Sequence, residues 1–181
     1  MNTNIKKRCI MLFPQFENIN IIDYIREKYD PLSSHVRPHI TLVFPFESTL
    51  SKEDLEDYLK TSLEEIKCFN LSLEEVVKID NSLGLYLFLR TKEGTEKIKE
   101  LHNKLYEGML NIYKPEWLNN GHFIPHMTIG TFNNREELNN AYAEVSAIEY
   151  KFSTLVERIS VGIIDENEDS IIEMEVDLNK Q

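Results

Sequence analysis

His35-Val36-Arg37-Pro38-His39-Ile40-Thr41-Leu42 returns later in the chain as His122-Phe123-Ile124-Pro125-His126-Met127-Thr128-Ile129. Both stretches read His-x-x-Pro-His-x-Thr-aliphatic, and every shared position is displaced by the same 87 residues (122−35, 125−38, 126−39, 128−41). A proline before each second histidine disfavours helical backbone at Arg37 and Ile124 and removes an amide donor, so neither stretch is a helix interior. Both read as strand entries. Ile40, Leu42 and Phe44 alternate with His39, Thr41 and Val43, and Met127, Ile129 and Thr131 alternate with His126, Thr128 and Gly130. On a strand, a histidine and the threonine two residues later share one face roughly 6 to 7 Å apart, with the intervening apolar side chains turned to the core. The chain thus builds one imidazole beside one hydroxyl, twice.

The remaining elements are arranged around these two strands. Cys9 to Phe13 reads as a buried strand stopped by Pro14, and Ile19, Ile22, Ile25 and Tyr29 recur at helical spacing until Asp30-Pro31. The first motif strand runs to about 46, and Ser51 with Asp54 is a capping pattern for a helix over 52 to 66. Alternation from Phe69 to Ile79, the turn Asn81-Ser82-Leu83-Gly84 and Leu85 to Leu89 predict a hairpin. A helix over 93 to 111, a loop through Pro115 and Trp117, the second motif strand over 123 to 132 and a helix over 135 to 147 follow. Val156 to Ile164 and Ile171 to Val176 close the chain as a hairpin across Asp165 to Asp169. The motif strand falls at the same place in each half. The expected fold is α+β, a single bilobal unit over 1–181: two pseudo-twofold-related antiparallel or mixed sheets form a central cleft, and helices pack outside.

Composition narrows the function classes. Hydrophobic residues make up 41 % and charged residues 28 % of the 181, which is ordinary for a soluble globular chain. A formal net charge of −11 argues against unspecific affinity for a long nucleic acid, since such binding neutralises many phosphates. The apolar run Cys9 to Phe13 is too short for a signal peptide's apolar core or a membrane span, and Cys9 and Cys68 are the only cysteines. The expectation is a cytoplasmic protein with reduced thiols and no membrane partner.

Two facing imidazoles with two hydroxyls suit a phosphate. One histidine removes a proton on one side of the reacting centre while the other supplies one to the leaving oxygen, and the threonines donate to the non-bridging oxygens. The segments His39-Ile40-Thr41-Leu42 and His126-Met127-Thr128-Ile129 resemble the two His-x-Thr-hydrophobic signatures of the 2H phosphoesterase superfamily. That group contains bacterial 2′-5′ RNA ligase-like proteins and 2′,3′-cyclic phosphodiesterases. An early Tyr29-Asp30-Pro31 before the first motif is similar to its small bacterial branch. The resemblance implies a bilobal fold and metal-independent, cofactor-free hydrolysis of 2′,3′-cyclic or 2′-5′ phosphodiesters at RNA ends or on small nucleotides. It implies that His39, Thr41, His126 and Thr128 are the catalytic set, without distinguishing acid from base. A noncatalytic module that binds a nucleotide or RNA end in the same cleft is the alternative.

Other residues carry weaker signals. His35 and His122 each precede the second histidine by four, but on extended chain that spacing parts the rings by about 13 Å, so no metal site is expected and both read as substrate contacts at the cleft mouth. Arg37 is either a phosphate neutraliser or a surface ion-pair partner. Tyr86, Phe88 and Arg90 share one strand face. Tyr86 is a candidate for stacking on a base and Phe88 reads as core. His102 reads as a partly buried helix residue. Asp165, Asn167 and Asp169 mimic a calcium loop, but Ser170 and Val176 stand where that loop needs Gly and Glu, which leaves a solvated turn.

Overall fold

Both motif strands lie at sheet edges. The computed structural model describes residues 5–119, 123–147 and 151–180. Its strands are β1 (Lys6–Leu12), β2 (Ile40–Ser48), β3 (Phe69–Asn81), β4 (Gly84–Thr91), β5 (His126–Phe132), β6 (Phe152–Val156), β7 (Arg158–Ile164) and β8 (Ser170–Asp177). Its helices are α1 (Ile19–Tyr29), α2 (Lys52–Ser62), α3 (Thr95–Tyr106) and α4 (Arg135–Val145), with short 3-10 turns at Gly108–Tyr113 and Glu116–Leu118. One sheet has the order β2-β1-β7-β8, the other β5-β4-β3-β6, and every pair within them is antiparallel. Each motif strand therefore pairs only with the strand that precedes it in the chain, and its outer edge is free of its own sheet. Pro45 is tolerated in β2 because an edge strand has amides that need no ladder partner.

The two free edges meet. Cα atoms of β2 and β5 approach within 8 Å of each other, and the helices cross over to support them: α1 packs on β5 and α3 on β2. Each motif strand is thus backed by a helix from the other half. The sheets exchange strands as well, because β7 and β8 leave the C-terminal half to complete the sheet of β1. Apolar side chains of both sheets and all four helices form one contiguous buried cluster.

Several boundaries depart from the sequence expectation; β1 starts at Lys6 instead of Cys9, and β5 at His126 instead of 123. The helix expected over 93 to 111 stops at Tyr106, because Gly108 adopts φ 72°, a left-handed backbone that ends helices. The helix expected to reach 66 ends at Ser62, although its N-terminus is as foreseen, the Asp54 amide donating to Ser51 Oγ at 3.0 Å. The strand expected over 156 to 164 is β7, which begins at Arg158; Val156 ends an unexpected strand, β6, and the chain passes from one sheet to the other at Glu157. At the far end of the first sheet, the fully buried Arg8 binds Glu173 at 2.6 Å, Ser48 Oγ at 3.2 Å and the Leu50 carbonyl at 3.0 Å. A buried guanidinium needs this full set of acceptors, and it ties β1, β2 and β8 together.

Candidate active site

His39 and His126 are held alike. The Nδ1–H of His39 donates to the Arg37 carbonyl at 2.9 Å, and the Nδ1–H of His126 donates to the Ile124 carbonyl at 2.7 Å. A carbonyl only accepts, so each neutral ring carries its proton on Nδ1 and keeps the lone pair on Nε2. Pro38 and Pro125 stand between donor and acceptor and keep the preceding residue extended, which turns its carbonyl back toward the ring. The same three-residue device therefore fixes both tautomers.

The strands share a second device. Ile10 pairs with Val43 and Met11 with Thr41, so Leu42 is an extra residue; Leu87 pairs with Gly130 and Phe88 with Thr128, so Ile129 is another. These are β-bulges at equivalent positions of the repeat, and both bulged side chains are fully buried. A bulge reverses the alternation beyond it. Val43 and Gly130, expected on the outward face, are buried, whereas Phe44, expected in the core, is half-exposed at the cleft. Up to the bulge the expected alternation holds: Ile40 and Met127 are buried, and His39, Thr41, His126 and Thr128 are half-buried. Among the described residues the hydroxyls of Thr41 and Thr128 have no hydrogen-bond partner.

The bulge in β2 is gripped from α3. His102 donates Nδ1–H to the Leu42 carbonyl at 2.7 Å, and the Phe44 amide donates to the Tyr106 hydroxyl at 3.0 Å. His102 is buried, lies flat on Phe123 with ring centroids 3.7 Å apart, and meets the Tyr106 ring edge-on at 5.0 Å. Burial lowers its pKa against the opposing pull of the Leu42 carbonyl, so it stays neutral and its Nδ1 keeps its proton. Burial likewise pushes the Tyr106 hydroxyl up to about 12. The partly buried helix residue of the sequence reading is therefore a buried strut for the first motif. A lone histidine on an apolar helix face was the only sequence signal for it.

Both motif imidazoles titrate low. Burial pushes His39 down to about 4, opposed by its bond to the Arg37 carbonyl, with smaller contributions from Arg26, Asp30 and His126. Burial also lowers His126, again opposed by its carbonyl. β2, which His39 immediately precedes, and β5, which His126 opens, approach within 8 Å of each other. Arg26 and Asp30 form a buried pair at 2.8 Å, and Arg26 also donates to the Val36 carbonyl at 2.8 Å, bracing the loop that delivers His39.

A cavity of about 710 Å³ opens beside the second motif. Phe44 of β2 and His126 and Thr128 of β5 line it together with Tyr86, Phe88, Trp117 and Phe123. Phe88 is half-exposed and stacks on His126 with centroids 3.7 Å apart, and Tyr86 stacks on Phe88 at 5.5 Å. Phe88 is thus a cleft residue, not the core residue the alternation suggested, and Tyr86 lines the same wall. Trp117, Phe123 and Phe44 escaped the sequence reading. A lone tryptophan in the loop before the second motif was the available sign.

The other expected contacts lie elsewhere. Arg37 places its guanidinium 4.4 Å from the centroid of Phe13, away from this cavity, in a second hollow with Pro14 and Glu157. His35 is tied to the β7–β8 turn, its Nδ1 2.8 Å from Asp169 Oδ1 while its carbonyl accepts from the Ser170 amide at 2.9 Å. That turn is also internally bonded, Asp165 Oδ1 accepting the amides of Asn167 and Asp169. His122 lies outside the described residues.

Comparison with known proteins agrees with the motif resemblance. The sequence profile described as the 2′-5′ RNA ligase superfamily matches residues 13–168. A protein of Bacillus licheniformis named "Putative phosphoesterase" is 30 % identical over 126 residues, 68 % of this chain and 69 % of its own length. One of the same name in Geobacillus thermodenitrificans is 27 % identical over 158 residues, 84 % of each chain. Among solved structures, E. coli LigT complexed with 3′-AMP superposes with a TM-score of 0.63 at 15 % identity, covering 97 % of this chain and 99 % of that one. The same protein complexed with ATP gives 0.61 at 16 % over the same shares.

Proposed function

This chain belongs to the 2′-5′ RNA ligase superfamily of phosphoesterase-type proteins, and from that premise we propose a metal-independent phosphodiesterase, acting as one bilobal unit. It cleaves 2′,3′-cyclic phosphate or 2′-5′ phosphodiester bonds at RNA ends or on small nucleotides, and works in the cytoplasm. The observation that carries this reading is the pair of Nδ1–H bonds to the Arg37 and Ile124 carbonyls, which leaves a lone pair on each Nε2, at the start of two strands that approach within 8 Å. Complexes of the E. coli neighbour with 3′-AMP and ATP support a ligand of nucleotide size.

In the proposed reaction one Nε2 takes a proton from a water molecule as its oxygen bonds to phosphorus in line with the ester bond that breaks. The other imidazole, protonated, gives its proton to the leaving ribose oxygen. Thr41 and Thr128 donate to the non-bridging oxygens, where charge grows in the transition state. Both rings are neutral near pH 7 in the free protein, since both are depressed. The anionic phosphodiester itself raises both, so that one of the pair holds a proton and serves as the acid when substrate binds. The aromatic wall of Tyr86, Phe88 and Trp117 takes the base by stacking.

The test is a screen of the four 2′,3′-cyclic nucleotides and of 2′-5′ dinucleotides in EDTA, comparing wild type with the double variant His39→Ala/His126→Ala. General acid-base catalysis contributes roughly 10²- to 10⁴-fold per group, so the variant should lose all detectable turnover. Turnover that vanishes in EDTA or persists in the variant removes the mechanism. Tight binding of 2′-AMP without hydrolysis of any member would leave a nucleotide-binding module instead.

A further inference from the structure

Next to the aromatic cleft lies a second cavity of about 460 Å³, and Arg90, Phe123 and Ile124 line both. Its walls carry Arg90, Lys99 and Lys114 with the hydroxyls of Thr91 and Thr95, and among the described residues no carboxylate lines it. In a chain with 31 acidic and 20 basic residues, a hollow holding three cations and no acid marks a place where negative charge is wanted. Among the described residues Lys114 has no carboxylate partner; its ammonium stands 5.9 Å from the Tyr106 ring centroid. Arg90 and Lys99 are each held by one carboxylate, Glu75 at 3.0 Å and Glu96 at 2.7 Å, whose side chains are 64 % and 83 % exposed. Pairs so open to water are weak, and a phosphate displaces them readily.

The cavity is joined to the second motif. Thr91 Oγ1 donates to the Pro125 carbonyl at 3.2 Å and shares a hydrogen bond with Thr95 Oγ1 at 2.9 Å, so one wall is fastened to the residue before His126. Arg90 is the direct cross-strand partner of His126 in the β4–β5 ladder, which puts its side chain on the same face as the imidazole. A phosphate among Arg90, Lys99 and Lys114 and a diester beside His126 are then within reach of a single ligand.

We propose that this basic cavity receives a second phosphate of the substrate, so that the preferred substrate carries a phosphate group in addition to the diester that reacts. The inference rests on the two-histidine reading and narrows its substrate class. Such a phosphate is either the internucleotide link of an RNA end or the 5′-phosphate of a single nucleotide, which offer the same charged oxygens to the three cations.

Three substrates separate these cases: adenosine 2′,3′-cyclic phosphate, its 5′-phosphorylated form, and an adenosine dinucleotide ending in a 2′,3′-cyclic phosphate. In wild type, kcat/KM should favour one of the two larger substrates by at least about tenfold, and the favoured one identifies the source. The variant Lys99→Gln/Lys114→Gln should reduce that preference to within about threefold and leave the cyclic mononucleotide unchanged. Equal rates for all three in wild type, or a preference that survives in the variant, overturns the proposal. Should no substrate turn over, calorimetry of adenosine 2′,5′-bisphosphate against 2′-AMP decides the subsite by itself: tighter binding of the bisphosphate that the variant abolishes upholds it, and equal affinities overturn it.

Discussion

The two motif strands are alike where a phosphate would touch them and different behind. In both, a proline sets a carbonyl against Nδ1, a bulge follows the threonine, and the aliphatic flanks are buried. Behind β2, however, the bulge is fastened to α3 through His102 and Tyr106, while among the described residues no side chain reaches the Ile129 carbonyl of β5. In front the contrast reverses. His126 is covered by the Phe88 and Tyr86 stack and opens on an aromatic cavity, whereas His39 has Phe13 at 6.0 Å, itself occupied by Arg37. The hydrogen bonds that fix a reacting nitrogen tolerate little variation. The surroundings are free to diverge, so one copy is the anchored side and the other the side that opens on the aromatic cavity.

The largest test of this asymmetry is Trp117→Ala, which strips the outer wall of the side that opens on the cavity. Base-aromatic stacking contributes about 1–3 kcal/mol, so KM for a cyclic nucleotide should rise roughly 5- to 150-fold while kcat changes little. A fall in kcat at unchanged KM would erase the distinction between the two sides. The smaller effect belongs to His102→Leu. It leaves the Leu42 carbonyl buried without a donor and should cost about 1–3 kcal/mol in denaturant unfolding. Because the strut holds the bulge next to Thr41, the loss of activity on a cyclic mononucleotide should fall on kcat and not on KM. Unchanged stability and kcat would mean that the grip on the β2 bulge has no energetic content.

How much of this was legible in the sequence follows from which interactions are local. The pairing of His39 with Thr41 and of His126 with Thr128 at equivalent strand entries could be read because the proline, the alternation and the offset all lie within two short stretches. The bulges could not, since a bulge exists only relative to a paired strand, and from it follow the misplaced phases of Val43, Phe44 and Gly130. His102 was misjudged for a similar reason: its acceptor is a carbonyl 60 positions away in the other half. β6 went unread because Phe152-Ser153-Thr154-Leu155-Val156 is short and mixed, with Leu155 on its exposed side. Phe88 shows the limit of alternation, which says which side chains share a face and not whether that face meets the core or a cleft.

On the proposed mechanism two Nδ1-protonated imidazoles act on one phosphate. Imidazole nitrogen NMR of the protein, titrated with pH in the absence and presence of 2′-AMP, tests it most directly. The prediction is that His39 and His126 are both neutral Nδ1–H tautomers at pH 7, that both titrate below 6.5 when free, His39 at about 4, and that 2′-AMP raises the pair together. Rings that carry their proton on Nε2, or a ligand that shifts one histidine and leaves the other untouched, would contradict it.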